Sequence, residues 1–448
     1  MSRPSTLDLY VKIIRLGLPI LVGQLGMIVV GFVDTTMVGR YSTEALASAS
    51  FVNGLFNTAI YACVGFTYGL TPLVGALYAQ KRRADAGAML RAGLLVNVAF
   101  SLLVSLVMFA IYLNLDRMGQ PEELLPLIRP YFVIYLFGII PVSVFNVFAQ
   151  WAYAINRTRM PMWITLASNV VNIIGNYALI YGHWGAPELG LTGAGISTLV
   201  ARVFCPLVIA GVFFFKSDYA LYRAGFRSAG ADRRRIGQLN RTSWPVAMQM
   251  SFESGSFTAA AVMAGWLGAI PLAAYQVVVI TGTLGFCVYY SMAAAVAVLV
   301  ANAAGLSDRG LMRRTAFAGY RILLALAALA SLTFIFLGPQ IMRVFSEDPI
   351  VIACALTLIV PLVVYQLGDA TQISFANALR GTGNVMPMLW ISFVSYVIIG
   401  IPATYILAFP AGLGIYGIIL SFSVSLFAAA AMFLYFFMRT TAGGRKKC

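Results

Sequence analysis

The feature that most constrains this chain is a series of twelve apolar stretches, each long enough to cross a lipid bilayer as one helix. A membrane-spanning helix needs about 20 apolar residues, whereas strands of a membrane barrel alternate in polarity over about 10 residues. These stretches lack that alternation, so the predicted fold class is an all-α polytopic membrane protein with twelve transmembrane helices. The stretches cover residues 13–38, 50–79, 90–115, 126–153, 161–182, 191–215, 242–266, 274–303, 316–339, 350–378, 387–408 and 414–438.

Composition agrees with a membrane protein. Of the 448 residues, 60% are hydrophobic and 10% are charged, and the formal net charge is +15. Soluble proteins contain about 45–50% apolar and about 25% charged residues, which excludes an ordinary soluble domain. In a soluble protein this charge would favour a nucleic-acid partner. Because the apolar stretches favour a membrane protein instead, we expect a lipid bilayer around the chain and no nucleic acid bound to it.

Basic residues are distributed unevenly between the connecting segments. If the N-terminus is cytoplasmic, 25 of the 30 Lys and Arg residues lie in inside segments and four lie outside. Cytoplasmic loops of membrane proteins carry such an excess of Lys and Arg. The pattern predicts a multi-pass protein of the plasma (inner) membrane with both termini cytoplasmic.

The two halves of the chain resemble each other. Several residues recur at one constant offset of 226, among them Pro19 with Pro245, Met37 with Met263, and Gly39 with Gly265. Internal repeats of this kind are typical of secondary transporters, which place the transport pathway between the repeats. The predicted organisation is two pseudo-symmetric six-helix lobes, with an N-lobe at 1–216, a cytoplasmic linker at 217–241, and a C-lobe with a basic tail at 242–448.

Three acidic residues fall inside predicted spans, while the other twelve lie in loops or at span ends. These three are Asp34, Glu253 and Asp369. An ionisable group at membrane depth costs several kcal/mol, so it persists mainly where it lines a cavity or has a partner. A structural ion pair with Arg202, the one basic residue inside a span, is the alternative to a functional role.

Polar residues of the N-lobe are predicted to share one depth. Counted at about 1.5 Å per residue, Asp34, Asn176 and Thr198 lie roughly 7–11 Å below the outer surface. Asn172 lies one helical turn from Asn176 on the same face. One carboxylate with several neutral oxygens suits a hard cation such as Na⁺, or a proton held on the aspartate.

The C-lobe holds a second set. Glu253 lies near the middle of the seventh span, and Asp369 lies in the tenth with Tyr365 one turn away on the same face. Two carboxylates in a low dielectric do not both stay charged and bare, so we expect them to share a proton or bind a cation.

These residues belong to longer motifs that identify a family. The first span, 17-GLPILVGQLGMIVVGFVDTTMVGR-40, resembles the opening of the multidrug and toxic compound extrusion (MATE) transporters. The stretches 365-YQLGD-369 and 376-ANALRGTGNVMP-387 are similar to the corresponding region of their second half. The presence of both Glu253 and Asp369 is similar to the NorM-type branch of the family. One difference is Asn384, at a position where the family often has Asp.

The resemblance implies a V-shaped pair of lobes with alternating access. It also implies export of cationic, amphipathic organic compounds in exchange for Na⁺ or H⁺, by a monomer without another cofactor. The N-lobe residues that match the family's cation site are Asp34, Asn172, Asn176 and Thr198. The C-lobe residues that match a cation-coupling or substrate site are Glu253, Tyr365 and Asp369. Na⁺ is expected at Asp34 or at the Glu253 and Asp369 pair.

Three other functions fit the sequence less well. A lipid or lipid-linked oligosaccharide flippase of the same superfamily would need a wide basic cavity, but Arg202 is the only buried base predicted. A membrane enzyme would need a catalytic cluster, yet His183 is the only histidine and no phosphate-binding loop is present, so we expect no catalytic residues. A passive channel fits the fused, pseudo-symmetric halves less well than a carrier does.

Overall fold

The structure is a computed structural model that describes residues 4–119, 121–230, 232–345 and 348–442. These residues form sixteen α-helices joined by short connections, and no β-strand occurs among them. The helices are α1 (Thr6–Tyr41), α2 (Thr43–Thr67), α3 (Leu70–Ala79), α4 (Arg83–Leu113), α5 (Leu125–Ala154), α6 (Arg159–Tyr181), α7 (Gly190–Phe215), α8 (Ala220–Ser228), α9 (Arg233–Trp266), α10 (Ala269–Gly305), α11 (Arg309–Phe345), α12 (Pro349–Thr357), α13 (Ile359–Gly381), α14 (Met386–Ser392), α15 (Ile401–Ala408) and α16 (Gly414–Thr441).

Each predicted apolar stretch coincides with one helix or with two consecutive helices. Among the described residues, ten helical segments are long and apolar enough to cross a membrane, and α12 with α13 makes an eleventh. The predicted seventh span differs, because α9 forms over 34 residues but is too polar to qualify. It carries Gln249, Glu253 and several hydroxyl side chains within the predicted span. This polarity is expected of a helix that turns one face toward other protein groups instead of lipid.

Prolines account for two local departures from regular helix. The predicted tenth span is bent by 52° at Leu358, between α12 and α13. Pro361 follows three residues later and has no N–H to donate to the Thr357 carbonyl, which is where a helix breaks. Residues Phe393–Gly400 form a π-helical segment immediately before Pro402. Other prolines lie inside helices that remain continuous, among them Pro19, Pro141 and Pro245.

The helices pack into two compact units. One unit is Val22–Ala247, and the other combines Met1–Leu21 with Met248–Cys448. The chain passes between them within α1 and again within α9. The lobe boundaries at 216 and 242 stay a prediction.

In the Val22–Ala247 unit, Trp151 of α5 is completely buried. Its indole N–H donates to the Ala86 carbonyl of α4 at 3.1 Å, and its ring meets Phe213 and Tyr222 edge to face. An indole N–H in an apolar core needs such an acceptor. These contacts join α5, α7 and α8 to α4 around one aromatic core.

The crossing of α4 and α8 depends on two glycines. A Cβ added at Gly225 would lie 1.8 Å from the Ala84 carbonyl oxygen, and one at Gly87 would lie 1.9 Å from that of Tyr222. Both neighbours are backbone atoms, so only glycine allows this close approach.

We expect Gly225→Ala to lower the free energy of unfolding by about 1–3 kcal/mol, because the methyl group separates the two backbones. Thermal unfolding of the purified protein in detergent measures the change. Gly211→Ala in α7 is the matched control, since a Cβ there meets nothing within 4 Å. That substitution gains up to about 1 kcal/mol of helix propensity. Equal unfolding temperatures for the two variants would contradict the account.

In the second unit, α13 packs against α10, α11 and α16. Tyr275, Tyr365 and Phe422 form an aromatic cluster in this core, with ring centroids 6.0–6.4 Å apart where Phe422 meets the two tyrosines. The first turns of α1 belong to the same unit: Ile13 is fully buried, and Gly17 lies against Met292 of α10. This packing fixes the two helices, α9 and α13, that carry the predicted C-lobe acids.

Candidate functional site

The predicted N-lobe residues lie together in the Val22–Ala247 unit. The Nδ2 atom of Asn176 donates to Asp34 Oδ1 at 2.5 Å and lies 3.4 Å from Asn172 Oδ1. Asn172 in turn donates to Thr198 Oγ1 at 3.3 Å. The four side chains therefore form one hydrogen-bonded chain across α1, α6 and α7.

Serines next to these four hydrogen-bonded side chains hold α6 against α7. Ser197 Oγ donates to the Asn172 carbonyl at 2.7 Å, and Ser168 Oγ donates to the Ala201 carbonyl at 2.9 Å. A Cβ at Gly175 would lie 2.4 Å from Ser197 Oγ, so the two helices are in close contact. Neither serine was predicted from the sequence. A polar residue recurs every four positions along the apolar helix α6, at Ser168, Asn172 and Asn176. This polar stripe is a sequence signal for Ser168.

Asp34 is not neutralised by an ion pair. Arg202 interacts electrostatically with it, but the guanidinium forms no salt bridge with Asp34 within the described part of the chain. Arg202 instead lies over the Tyr135 ring, 4.4 Å from its centroid. Gly138 makes room for it, because a Cβ there would lie 2.7 Å from Arg202 Nη1. The charge of Asp34 thus remains available to a cation, and the cation–π contact stabilises the arginine separately.

The predicted C-lobe residues come together in the other unit. Asp369 of α13 is 2% exposed, and its Oδ2 atom makes no hydrogen bond to any described residue. The carboxylates of Glu253 and Asp369 interact electrostatically, and Tyr365 interacts with both. Tyr396, in the π-helical segment, and Gln249 are polar side chains that interact with Glu253. The site is thus a carboxylate pair, half-buried at Glu253 and fully buried at Asp369, that two bare negative charges would destabilise.

Several polar side chains beside Asp369 were not predicted. Gln366 and Gln372 lie one turn on either side of it along α13, and each is at most 1% exposed. Their Oε1 atoms, like the Tyr289 hydroxyl of α10, have no hydrogen-bond partner among the described residues. The signal is the polar spacing 365, 366, 369 and 372 on one face of an otherwise apolar helix. Tyr289 and Tyr396 carry no such signal, since both lie in apolar runs.

The two clusters share one chemistry. Each provides carboxylate oxygen together with neutral amide or hydroxyl oxygens, and buried acceptors without partners occur in both, as at Asn176 Oδ1 and Asp369 Oδ2. Such oxygens are typical ligands of hard cations, and a carboxylate also takes up a proton. Within the described ranges no group of three or more His, Cys, Asp or Glu side chains is assembled. His183 stacks on Tyr177, with ring centroids 4.3 Å apart.

The chain as a whole is similar to known proteins. The family model MatE matches residues 19–178 and 245–406. The two matches begin at Pro19 and Pro245, which are the residues paired by the repeat offset of 226.

Curated relatives span the whole chain. The "Probable multidrug resistance protein NorM" of Geobacillus kaustophilus is 28% identical over 442 residues, covering 98% of this chain and 97% of its own. The protein of the same name from Bradyrhizobium diazoefficiens is 28% identical over 433 residues, covering 95% and 92%.

Solved structures share the fold. An outward-facing multidrug resistance MATE family transporter superposes with a TM-score of 0.89 at 18% identity, covering 97% of this chain and 96% of that one. The eukaryotic MATE transporter AtDTX14 gives a TM-score of 0.86 at 18% identity, covering 97% and 98%. With the family model matched in both halves, the chain belongs to the multidrug and toxic compound extrusion (MATE) family of membrane transporters.

Proposed function

We propose that this protein exports cationic, amphipathic organic compounds in exchange for Na⁺ or H⁺. The observation that carries the proposal is a carboxylate site in each unit, half-buried at Asp34 and fully buried at Asp369, neither of which is neutralised by a salt bridge within the described residues. The multidrug resistance names of the relatives support this substrate class.

Competition for a carboxylate is the simplest way to couple the two fluxes. An organic cation and a coupling ion each neutralise Asp34, or the Glu253 and Asp369 pair, but the two do not bind the same carboxylate at the same time. An entering Na⁺ or H⁺ therefore releases the bound compound, and access then alternates to the other side of the membrane. One charge moved through 100 mV is worth about 2.3 kcal/mol, a bias of roughly 50-fold.

The setting proposed for this exchange is the inner membrane, with both termini cytoplasmic and the protein acting as a monomer. Arg314 donates to the Pro4 carbonyl, so the N-terminal segment is held against the basic start of α11. This contact is consistent with the N-terminus and the basic start of α11 lying on the same side of the membrane. A lipid flippase has less support, because the relatives are named for drug resistance. The structure buries one basic residue whose burial was not predicted from the sequence, Arg380 of α13, and its guanidinium donates to Asn377 Oδ1 on the same helix.

Efflux from proteoliposomes with imposed gradients tests the proposal. Ethidium is the probe, and a Na⁺ gradient and a proton gradient are imposed separately on otherwise identical vesicles. We expect one of the two gradients to drive ethidium out against its own concentration gradient. Vesicles without an imposed ion gradient should show only passive leak. Efflux that is the same with and without both gradients would overturn the exchange mechanism. Vesicles made without protein are the control.

A further inference from the structure

An apolar groove lies on the Val22–Ala247 unit, and none of its lining residues belongs to either carboxylate site. Its cavity volume is about 700 Å³, and its walls are mainly α4 and the start of α9, with Phe66 of α2 at its base. Phe66 stacks on Phe100 at 4.3 Å, and Trp244 meets Phe100 at 6.4 Å. Asn240 is the one polar residue in the lining. The surface is therefore suited to a hydrocarbon chain.

Each wall of the groove continues, toward the N-terminus of its helix, to an arginine. On α4 the lining residues Leu95, Ala99 and Leu103 continue at four-residue spacing to Arg91. On α9 the lining residues Ile236, Asn240 and Trp244 continue one turn earlier to Arg233.

The two arginines differ from their neighbour Arg235. Arg235 is used within the fold, since it pairs with Asp85 at 3.1 Å and with Asp232 at 3.5 Å. Arg233 is exposed and makes no ion pair with any described residue. Arg91 donates only long hydrogen bonds, of 3.3 and 3.4 Å, to the carbonyls of Phe226 and Arg227. The pair between Arg235 and Asp85 joins the two walls at this end, and the charge of Arg233 remains unpaired among the described residues.

The length of the groove corresponds to one lipid leaflet. From Arg91 to Leu103 the α4 wall rises about 18 Å, and from Arg233 to Trp244 the α9 wall rises about 16 Å. Because α9 is one continuous helix from Arg233, the proposed site requires it to enter the leaflet there, ahead of residue 242, the predicted start of the seventh span. Half of a hydrocarbon core is about 15 Å thick. A molecule with an anionic head at the arginines and a fatty chain along the groove therefore has the dimensions of a phospholipid in the adjacent leaflet.

We propose that this groove binds an anionic phospholipid, with one acyl chain along α4 and α9 and the phosphate between Arg91 and Arg233. Basic pockets between membrane helices on this side recognise anionic head groups in the same way. The cationic end repels an organic cation, so the groove is not the drug site. Asn240 lies between the arginines and Trp244, where it can donate to an ester carbonyl of the lipid.

Native mass spectrometry of the purified protein tests the site. The probes are phosphatidylglycerol and phosphatidylcholine with identical acyl chains, each added to delipidated protein. We expect phosphatidylglycerol to be retained in preference, and Arg233→Gln to weaken its retention about fivefold, the effect of one basic residue at a membrane surface. Arg234→Gln removes the same charge from the neighbouring position on another face of α9 and should leave retention unchanged.

A second variant tests the apolar wall. Ala99 is exposed within the groove, so Ala99→Trp fills it without disturbing the core. We expect this variant to unfold at the wild-type temperature and to lose retention of both lipids. Equal retention of the two lipids by the wild type, or equal effects of Arg233→Gln and Arg234→Gln, would overturn the proposal. If the wild type retains ethidium in place of the lipid and Ala99→Trp does not, the groove binds the drug, and the proposal is overturned.

Discussion

Replacing Asp34 by asparagine should abolish efflux driven by an ion gradient while leaving the protein folded. In wild-type vesicles a gradient equivalent to 100 mV sustains a concentration ratio of roughly 50 for a singly coupled cation, and the variant should reach a ratio near 1. The amide keeps an oxygen that accepts from Asn176 Nδ2, so the chain through Asn172 and Thr198 is retained. Only the exchangeable charge is lost.

Asp116→Asn is the matched control for this experiment. Asp116 pairs with Arg129 at 2.7 Å, and both side chains are about half exposed. The substitution removes the same charge from the chain, but exposed pairs contribute at most about 1 kcal/mol of stability. We expect its efflux to equal that of the wild type. Full gradient-driven efflux by Asp34→Asn would exclude this carboxylate from the coupling mechanism.

Asp369→Asn should lower the efflux rate at least tenfold without lowering stability. Asp369 is buried beside Glu253, and its Oδ2 atom has no hydrogen-bond partner among the described residues, so the charged form is costly in the absence of a cation or proton. Asparagine mimics the protonated form and removes that cost. Thermal unfolding of the variant should therefore occur at or above the wild-type temperature, whereas a purely structural carboxylate would give the opposite result.

A double-mutant cycle with Glu253→Gln tests whether the two acids act as one site. Residues that act together show strongly non-additive effects, so we expect the double variant to be no slower than Asp369→Asn alone. Asp308→Asn is the control, because Asp308 accepts from the Leu311 N–H at the start of α11 and asparagine caps a helix equally well. Additive losses in the cycle would mean that the two carboxylates have separate roles.

The helices themselves were largely predictable from hydrophobicity. All twelve apolar stretches form helix, because a bilayer leaves the backbone no other way to satisfy its hydrogen bonds over such lengths. The polarity of α9 is visible in its sequence, and it makes this helix, though 34 residues long, less apolar than the other eleven spans. The bend at Leu358 was less predictable. Pro361 marks it, but Pro19 and Pro141 lie in continuous helices with the same local chemistry.

The acids of the site were predictable for a different reason. Asp34 and Asp369 stand out because burial of a carboxylate is costly enough that few spans contain one. Ser197 does not stand out, since serine hydroxyls occur throughout apolar helices and often bond to their own backbone. Tyr289 does not stand out because it lies in an apolar run. The position of Arg202 over Tyr135 depends on the packing of α5 against α7 and on the space at Gly138. No spacing along the chain encodes that contact.

Counter-transport in proteoliposomes tests the central claim most directly. Vesicles are loaded with ethidium, no ion gradient is imposed, and entry of ²²Na⁺ and of protons is followed while the drug leaves. The account predicts that one of these ions enters in proportion to the ethidium released, and that the Asp34→Asn, Asp369→Asn double variant shows neither flux. Drug efflux with no ion entry, or wild-type ion entry in the double variant, would contradict it.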